Sequence, residues 1–379
     1  MRGSVRRFTY AFLVLLVLGA LVYRARGVIH LEGFSWDRLT HTLRQARGGP
    51  LLVSLVAIYV CYALRALRWV RFCRYLGRPA YASIYRSTIV GFTAVFLLGR
   101  AGEPIRPLLI ARRDRLPVSS MFGIYVLERL FDTASTAVIA GLSLLVFPVM
   151  LSSGGASLAW EARARTTGVV LMGIVVASVA TLVYFRLRGA GALGQRMARW
   201  RSAGGWKLRL AAGLAGFWEG LQAIRTLSDL LAGIAYSAAH WGLVAMIYLW
   251  VPHSFGGRLA ALDFPGAMLV LAFTMVGSTL QLPTVGGGSQ AASFLAFTVV
   301  FGVEQEPAAA ASIVLWLITF AAASLVGVPL LIREGWSMGE LRRLAREEAE
   351  AEAAGTHAEV PDAPRVERGK RAKPGDTRP

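Results

Sequence analysis

Long apolar runs separated by short polar segments dominate the hydrophobic pattern of this chain. A helix needs about 20 apolar residues to cross a bilayer. The runs that approach or exceed this length lie at residues 8–23, 51–67, 118–148, 169–185, 230–251 and 308–332. With two further interrupted runs, the pattern predicts an all-α, polytopic integral membrane protein of about six to eight spans.

The two interrupted runs are broken by glycine and proline. Residues 84–98 end at the polar sequence GRAGEPIRP (99–107), too early for a full crossing, and with residues 108–111 they predict a re-entrant hairpin. Residues 264–303 are broken by PTVGGGSQ (283–290) and form either a hairpin or two spans. The breaks enter from opposite sides, as in the inverted repeats of transporters. Whether the two halves form a true inverted repeat stays open, because they share no strong sequence identity.

Two shorter segments have helical periodicity without enough apolar length to span a bilayer. Residues 34–43 and 206–227 each predict an amphipathic helix on a membrane surface. After residue 337 the chain is rich in Glu, Ala, Lys and Pro and lacks aromatics, which predicts a largely disordered tail. The domains expected are therefore a transmembrane domain at 1–336 and a charged cytoplasmic tail at 337–379.

The charge of the chain follows its topology. A formal charge of +19 on 379 residues would indicate nucleic-acid binding in a soluble protein, but here the Lys and Arg residues lie in loops between apolar runs. We therefore expect no nucleic acid as a partner. Cys61 and Cys73 are too few for a disulfide framework or a zinc cluster, so we expect free thiols, no metal and no cofactor.

Cationic loops also predict an orientation, because Lys and Arg concentrate in cytoplasmic loops. Placing residues 65–86, 112–115 and 186–225 inside, together with both termini, gives the inner side a roughly threefold excess of Lys and Arg. The expected location is the bacterial cytoplasmic (inner) membrane, with the N- and C-termini in the cytoplasm.

Charged residues at membrane depth are the candidate functional groups. One such charge costs at least about 2.5 kcal/mol at the centre of a bilayer, so each needs a partner. They are Arg100, Glu103, Arg106, Glu128, Arg129 and Asp132. Three arginines and three carboxylates give this set a net charge of zero.

Each charged group has a structural and a functional interpretation. Arg100 and Arg106 either neutralise Glu103 within the hairpin or bind a lipid phosphate, which suits a planar guanidinium. Glu128 and Asp132 share one helix face and act either as counterions or as a site for a proton or a headgroup amine. We expect both carboxylates to line the same cavity as Arg100 and Glu103.

The second break and one histidine complete the set of candidates. Gly286, Gly287 and Gly288 either permit a tight turn and close helix packing or line the substrate path with free backbone groups, with Gln290 beside them. His240 lies in an apolar span, and we expect it to be a core or interfacial histidine rather than a ligand.

The order and spacing of these motifs resemble a known family. Gly99-Arg100-Ala101-Gly102-Glu103-x-x-Arg106, Glu128-Arg129-Leu130-x-Asp132 and the glycine break at 283–288 resemble the flippase-like membrane proteins typified by the transmembrane module of lysylphosphatidylglycerol synthetases. The resemblance covers roughly residues 13–332 and implies a membrane protein that moves aminoacylated phospholipids, polyprenyl-linked glycans or other lipids between leaflets. The soluble aminoacyl-transfer domain of the synthetases is not expected in the short tail.

The function expected is that of a lipid flippase or scramblase without its own catalysis. No HExxH, DxD loop or Walker A loop (GxxxxGK[ST]) is present, so we expect no enzyme. A membrane-embedded accessory subunit or enzyme of lipid or glycan modification is the alternative. The partner expected is a membrane lipid with an anionic headgroup, with a homo-oligomer or a lipid-modifying enzyme as further partners. The substrate-binding set is Arg100, Glu103, Arg106, Glu128, Arg129, Asp132, Gly286, Gly287, Gly288 and Gln290.

Overall fold

The computed structural model describes residues 34–151, 223–278, 281–282 and 286–333, with isolated positions between residues 166 and 220. The predicted first helix at 8–23, the tail from residue 337, and most of the predicted helices at 169–185 and 206–227 lie outside the described residues.

Helices make up almost all of the described chain. In chain order the elements are α1 (Trp36–Gln45), α2 (Gly48–Cys73), α3 (Tyr81–Leu98), a 3₁₀ turn (Gly99–Gly102), α4 (Ile105–Asp114), α5 (Val118–Leu151), α6 (Leu227–His253), α7 (Gly257–Ala260), α8 (Phe264–Gly277), β1 (Gln281–Leu282), β2 (Gly286–Gly287), α9 (Gly288–Leu295), a π turn (Ala296–Val300), α10 (Gln305–Trp316), a second π turn (Leu317–Ala321) and α11 (Ala322–Arg333).

The predicted fold class is confirmed. Among the described residues, four helical segments are long and apolar enough to cross a membrane: Gly48–Cys73, Tyr81–Gly102, Leu227–His253 and Gln305–Arg333. Two shorter apolar helices, Phe264–Gly277 and Gly288–Val300, flank the second break. The protein is an all-α, polytopic membrane protein.

Helices α2 and α6 form the central antiparallel pair. Where α2 ends and α6 begins, Arg71 and Arg74 both contact the Asp229 carboxylate at 2.9 Å. At the other end the Arg47 amide donates to the Ser254 carbonyl at 2.8 Å. These contacts define two ends of the bundle, which we call the basic end and the far end.

The first break forms a helical hairpin with its base at the basic end. Its first arm, Tyr81–Gly102, has 22 residues and is long enough to cross a membrane, so the expectation that this segment ends too early for a full crossing is wrong. The Ser83 hydroxyl at the start of α3 donates to Asp114 at the end of α4, at 2.9 Å. Midway along the hairpin Gly91 lies so close to α4 that a Cβ there would be 2.5 Å from the Arg106 Cβ. Helix α4 has ten residues, about 15 Å, so it reaches only half of a hydrocarbon core about 30 Å thick.

The second break forms another hairpin, with its base at the far end. Gly277 and Gly288 touch where α8 and α9 meet, leaving no room for a Cβ at Gly277. At the base, the Arg258 guanidinium donates to the Gly302 carbonyl at 2.6 Å. The two hairpins therefore point toward each other from opposite ends. Their tips meet where strand β1 contacts the 3₁₀ turn.

Helix α1 closes the far end. Its N-cap is Ser35, whose hydroxyl accepts from the Arg38 amide at 3.3 Å, while the Ser35 amide donates to the Glu306 carboxylate at 3.0 Å. The predicted short helix is therefore present and packs on the start of α10. Its position on a membrane surface stays a prediction.

Candidate functional site

A buried cluster of charges joins α2, α4 and α5. We call it the ion cluster and define it by Arg65, Arg68, Arg106, Glu128 and Asp132. Each of these residues is at most 7% exposed. The Arg65 Nη1 atom lies 2.8 Å from Glu128 and 2.7 Å from Asp132. The Arg68 Nη2 atom lies 2.9 Å from Glu128 and 3.0 Å from Asp132.

Helical periodicity explains this arrangement. Arg65 and Arg68 are three residues apart and Glu128 and Asp132 are four apart, so each pair lies on one face of its helix. When those faces pack together, two guanidinium groups meet two carboxylates, and each carboxylate contacts both arginines. The four groups alone balance to zero charge.

Arg106 adds a fifth charge from the tip of the first hairpin. Its Nη2 atom makes an ion pair with Glu128. The guanidinium also lies over the rings of Trp69, at 4.8 Å, and Phe92, at 5.6 Å. Trp69 donates its indole N–H to the same Glu128 carboxylate at 2.8 Å. The Arg106 Nη1 atom has no hydrogen-bond partner within the described chain.

Helix α6 supplies neutral partners. The Ser237 hydroxyl accepts from Arg68 Nη1 at 2.7 Å, and the His240 ring accepts from Arg65 Nε at 3.2 Å. Both arginines are thus held between a carboxylate pair on α5 and an acceptor on α6. The cluster fixes the relative positions of four helices.

Position along the helices places the cluster deep in the bundle. Arg65 and Arg106 each lie eight residues before the end of their helix at the basic end, and Glu128 lies ten residues after the start of α5. At about 1.5 Å per residue they lie about 12–15 Å from the basic end, near half of a hydrocarbon core about 30 Å thick.

A small cleft opens beside Arg106. Its accessible volume is about 20 Å³, and it is lined by Gly91, Phe92, Val95, Glu103, Arg106, Tyr125 and Arg129. The Tyr125 hydroxyl donates to Glu103. Arg129 lies over the Tyr125 ring at 5.1 Å, with its Nη2 atom 3.9 Å from Asp132. We call this space the Arg106 cleft.

The structure brings most of the predicted charged residues together, with two corrections. Glu103, Arg106 and Arg129 line the cleft, whereas Glu128 and Asp132 lie in the adjoining ion cluster. The expectation that both carboxylates line one cavity with Arg100 and Glu103 is therefore wrong. Arg100 is exposed in the 3₁₀ turn and makes no ion pair with any described residue. The expectation that Arg100 helps to balance the carboxylates is therefore wrong, and its contact with substrate stays a prediction.

Arg65 and Arg68 take the place of Arg100, although the sequence pattern does not mark them as site residues. It predicts a second span that ends at residue 67, which assigns both arginines to the cytoplasmic loop. The structure continues that helix to Cys73. A span of about 20 residues counted from Leu51 already reaches Val70, which would have placed Arg65 and Arg68 at membrane depth.

The glycine break has a local structural role. Gly286 pairs with Leu282, and Gly287, at φ +113°, donates its amide to the Gln290 side chain. Gly288 packs against Gly277. These contacts make a tight turn and a close approach of α8 and α9. Substrate contact by Gly286, Gly287, Gly288 and Gln290 stays a prediction.

One comparison with known proteins identifies a family and agrees with the fold. The family model described as "Lysylphosphatidylglycerol synthase TM region" matches residues 9–327, well over half of the chain. No curated protein matches this chain, and no solved structure does. The chain therefore belongs to the lysylphosphatidylglycerol synthase TM region family and is a multi-pass membrane protein.

Proposed function

We propose that this protein moves a phospholipid between the leaflets of its membrane, and that the Arg106 cleft holds the phosphate of the headgroup. The observation that carries the proposal is a buried surplus of positive charge. The ion cluster contains three arginines and two carboxylates, and Arg129 and Glu103 beside it cancel each other. Among the described residues, one positive charge is left without a counterion.

That surplus charge favours an anionic ligand. A buried charge without a partner costs several kcal/mol, even after the protein relaxes around it. Arg106 borders the cleft, and its Nη1 atom has no hydrogen-bond partner in the part of the chain that the structure describes. A planar guanidinium matches the oxygens of a phosphodiester, whose single negative charge restores neutrality.

The hairpins support transport over simple lipid binding. Interrupted segments that enter from opposite sides and meet near the midplane are the usual construction of a transporter site. Here the two tips meet at the 3₁₀ turn, which immediately precedes α4 and Arg106. A headgroup in the Arg106 cleft would lie roughly halfway between the ends, with its acyl chains left in the surrounding lipid.

We also propose that the protein has no catalytic activity of its own. The acidic groups Glu128 and Asp132 are each held by at least two arginines, which leaves them poor general bases or nucleophiles. The remaining carboxylate of the cleft, Glu103, accepts from Tyr125. An enzyme or an accessory subunit is the alternative and would not move lipid when purified.

The orientation belongs to the same proposal. The basic end carries residues 71–86 and 112–115, which are rich in arginine, and we place it in the cytoplasm of a bacterial cell. The far end, with α1 and α7, then faces outward. The substrate is a membrane lipid with an anionic headgroup, and a homo-oligomer or a lipid-modifying enzyme is a further partner.

Reconstitution in vesicles tests the proposal. Purified protein should accelerate the exchange of a fluorescent phospholipid between leaflets, followed by quenching of the outer leaflet, and Arg106→Ala should slow it at least tenfold. The variant should fold, because Arg65, Arg68, Glu128 and Asp132 remain a neutral set. Arg44→Ala, at an exposed arginine of α1, is the control. Absence of exchange with the native protein, or full exchange with Arg106→Ala, would contradict it.

A further inference from the structure

His240 makes a hydrogen bond that fixes its protonation. Its Nε2 atom lies 3.2 Å from Arg65 Nε, and the residue is 5% exposed. An arginine side chain is always charged and has only donors, so Nε2 must be the acceptor. The ring is therefore neutral, with its proton on Nδ1, which has no partner within the described chain.

This bond orients Arg65 within the ion cluster. Nε is held by His240 while Nη1 contacts both Glu128 and Asp132, so the guanidinium is fixed along two of its edges. The same guanidinium lies 5.3 Å from the Phe92 ring, and Phe92 is a wall of the Arg106 cleft. A rotation of Arg65 would disturb both the carboxylates and that wall.

Protonation of His240 would remove the acceptor. Nε2–H would then face Nε–H of Arg65, so two donors would meet, and a further positive charge would enter a cluster that already has a surplus. In the described part of the chain, the charged and titratable groups that interact with His240 are Arg65, Arg68 and Cys61 from α2 and Asp132 from α5.

We infer that His240 is a positioning residue that holds Arg65 only while its ring is neutral, so that acid releases Arg65 and slows lipid movement. The inference rests on the proposed function for its effect on transport, but its structural part does not. The direction follows from the bond: activity is full when the ring is neutral at higher pH, and it falls as the pH drops through the protonation of His240.

The structural part is tested by ¹⁵N NMR of histidine-labelled protein in lipid nanodiscs at about pH 8. The chain has five histidines, and the signals of His240 are those lost in His240→Gln. We expect a neutral ring with its proton on Nδ1. A proton on Nε2, or a charged ring at this pH, would overturn the inference whatever the transport assay shows.

The pH profile of lipid exchange tests the functional part. Between about pH 8 and pH 5 the native protein should slow on the order of tenfold. In His240→Gln the amide oxygen replaces Nε2 as acceptor and does not titrate, so its rate should stay near the native pH 8 rate throughout. His240→Leu, of similar size but without an acceptor, should be slow at every pH, on the order of tenfold below native.

His41→Gln is the matched control, because His41 is exposed on α1 and its ring makes one hydrogen bond within the described residues, to Gln45. It should keep the native pH profile. The same acid sensitivity in His240→Gln as in the native protein, or native rates in His240→Leu, would overturn the positioning role. Failure of the native protein to move lipid at pH 8 would refute the proposed function, and the NMR result would still decide the state of His240.

Discussion

At the scale of single residues, the ion cluster is held by shared contacts rather than separate pairs. Glu128 is fully buried. Its carboxylate makes ion pairs with Arg65, Arg68 and Arg106 and accepts a hydrogen bond from Trp69. Breaking one member of a buried ion set costs about 3–5 kcal/mol because the opposite charge is left behind. The cluster is therefore a strong constraint on how α2, α4 and α5 pack.

A double-mutant cycle on Arg68 and Asp132 tests this sharing. Arg68→Gln and Asp132→Asn should each lower the free energy of unfolding in mixed micelles, because the first removes a contact of both carboxylates and the second adds to the surplus positive charge of the ion cluster. The double variant removes one charge of each sign. Its loss of unfolding free energy should therefore be smaller than the sum of the losses in the two single variants, by about 0.5–3 kcal/mol.

A distant arginine provides the control for the cycle. Arg258 contacts the Gly302 carbonyl at the far end. The losses of unfolding free energy caused by Arg258→Gln and Asp132→Asn should therefore be additive within about 0.5 kcal/mol. Strict additivity for Arg68 and Asp132 would mean that the contact between them contributes nothing to stability.

The cost of charge in a bilayer explains how much of the site could be predicted from sequence. That cost identified Glu128, Asp132 and Arg106, because each interrupts an apolar run. It did not identify Arg65 and Arg68, because arginines near the end of a span are also what a cytoplasmic loop contains. His240 and Trp69 gave no sequence signal of partnership, because their partners come from other helices.

At the scale of elements, the first hairpin depends on a close approach between its two arms. Gly91 of α3 faces Arg106 of α4, and a Cβ at Gly91 would lie 2.5 Å from the Arg106 Cβ. The glycine therefore sets how near Arg106 comes to Phe92 and Glu128. The sequence predicted a hairpin from the length of the apolar run, but no pattern within it predicted this contact.

Substituting Gly91 tests the importance of that approach. Gly91→Ala should push α4 outward and lower stability by about 1–3 kcal/mol, with slower lipid exchange, since Arg106 moves away from the cleft. Gly242→Ala is the control, because nothing lies within 4 Å of a Cβ there, and alanine favours a helix interior over glycine. Equal stability of the two variants would contradict the close-packing account.

At the scale of the whole molecule, the arginine-rich segments near residues 71–83 and 112–116 lie at the same end, as their charge predicted. Arg71 and Arg74 meet the start of α6 at one end, together with residues 112–116, whereas α1 and α7 lie at the other. Loop charge predicts which loops share a side, because the Lys and Arg residues of each short loop bias that loop toward the cytoplasmic side. Contacts between helices distant in sequence could not be predicted in this way.

Cysteine labelling in intact cells tests which end faces the cytoplasm. Cys61 and Cys73 are fully buried, so the native protein should react little with a membrane-impermeant maleimide. Arg258→Cys at the far end should react from outside, and Arg115→Cys at the basic end should react only after the cells are opened. The reverse pattern would overturn the orientation.

The central claim is that the free face of Arg106 binds the headgroup phosphate, and a structure of the protein in phospholipid nanodiscs tests it most directly. We expect a phosphodiester oxygen within about 3 Å of Arg106 Nη1, in the cleft bordered by Phe92, Glu103 and Arg129. A structure in which protein side chains fill this cleft and the headgroup lies against another surface would contradict the claim.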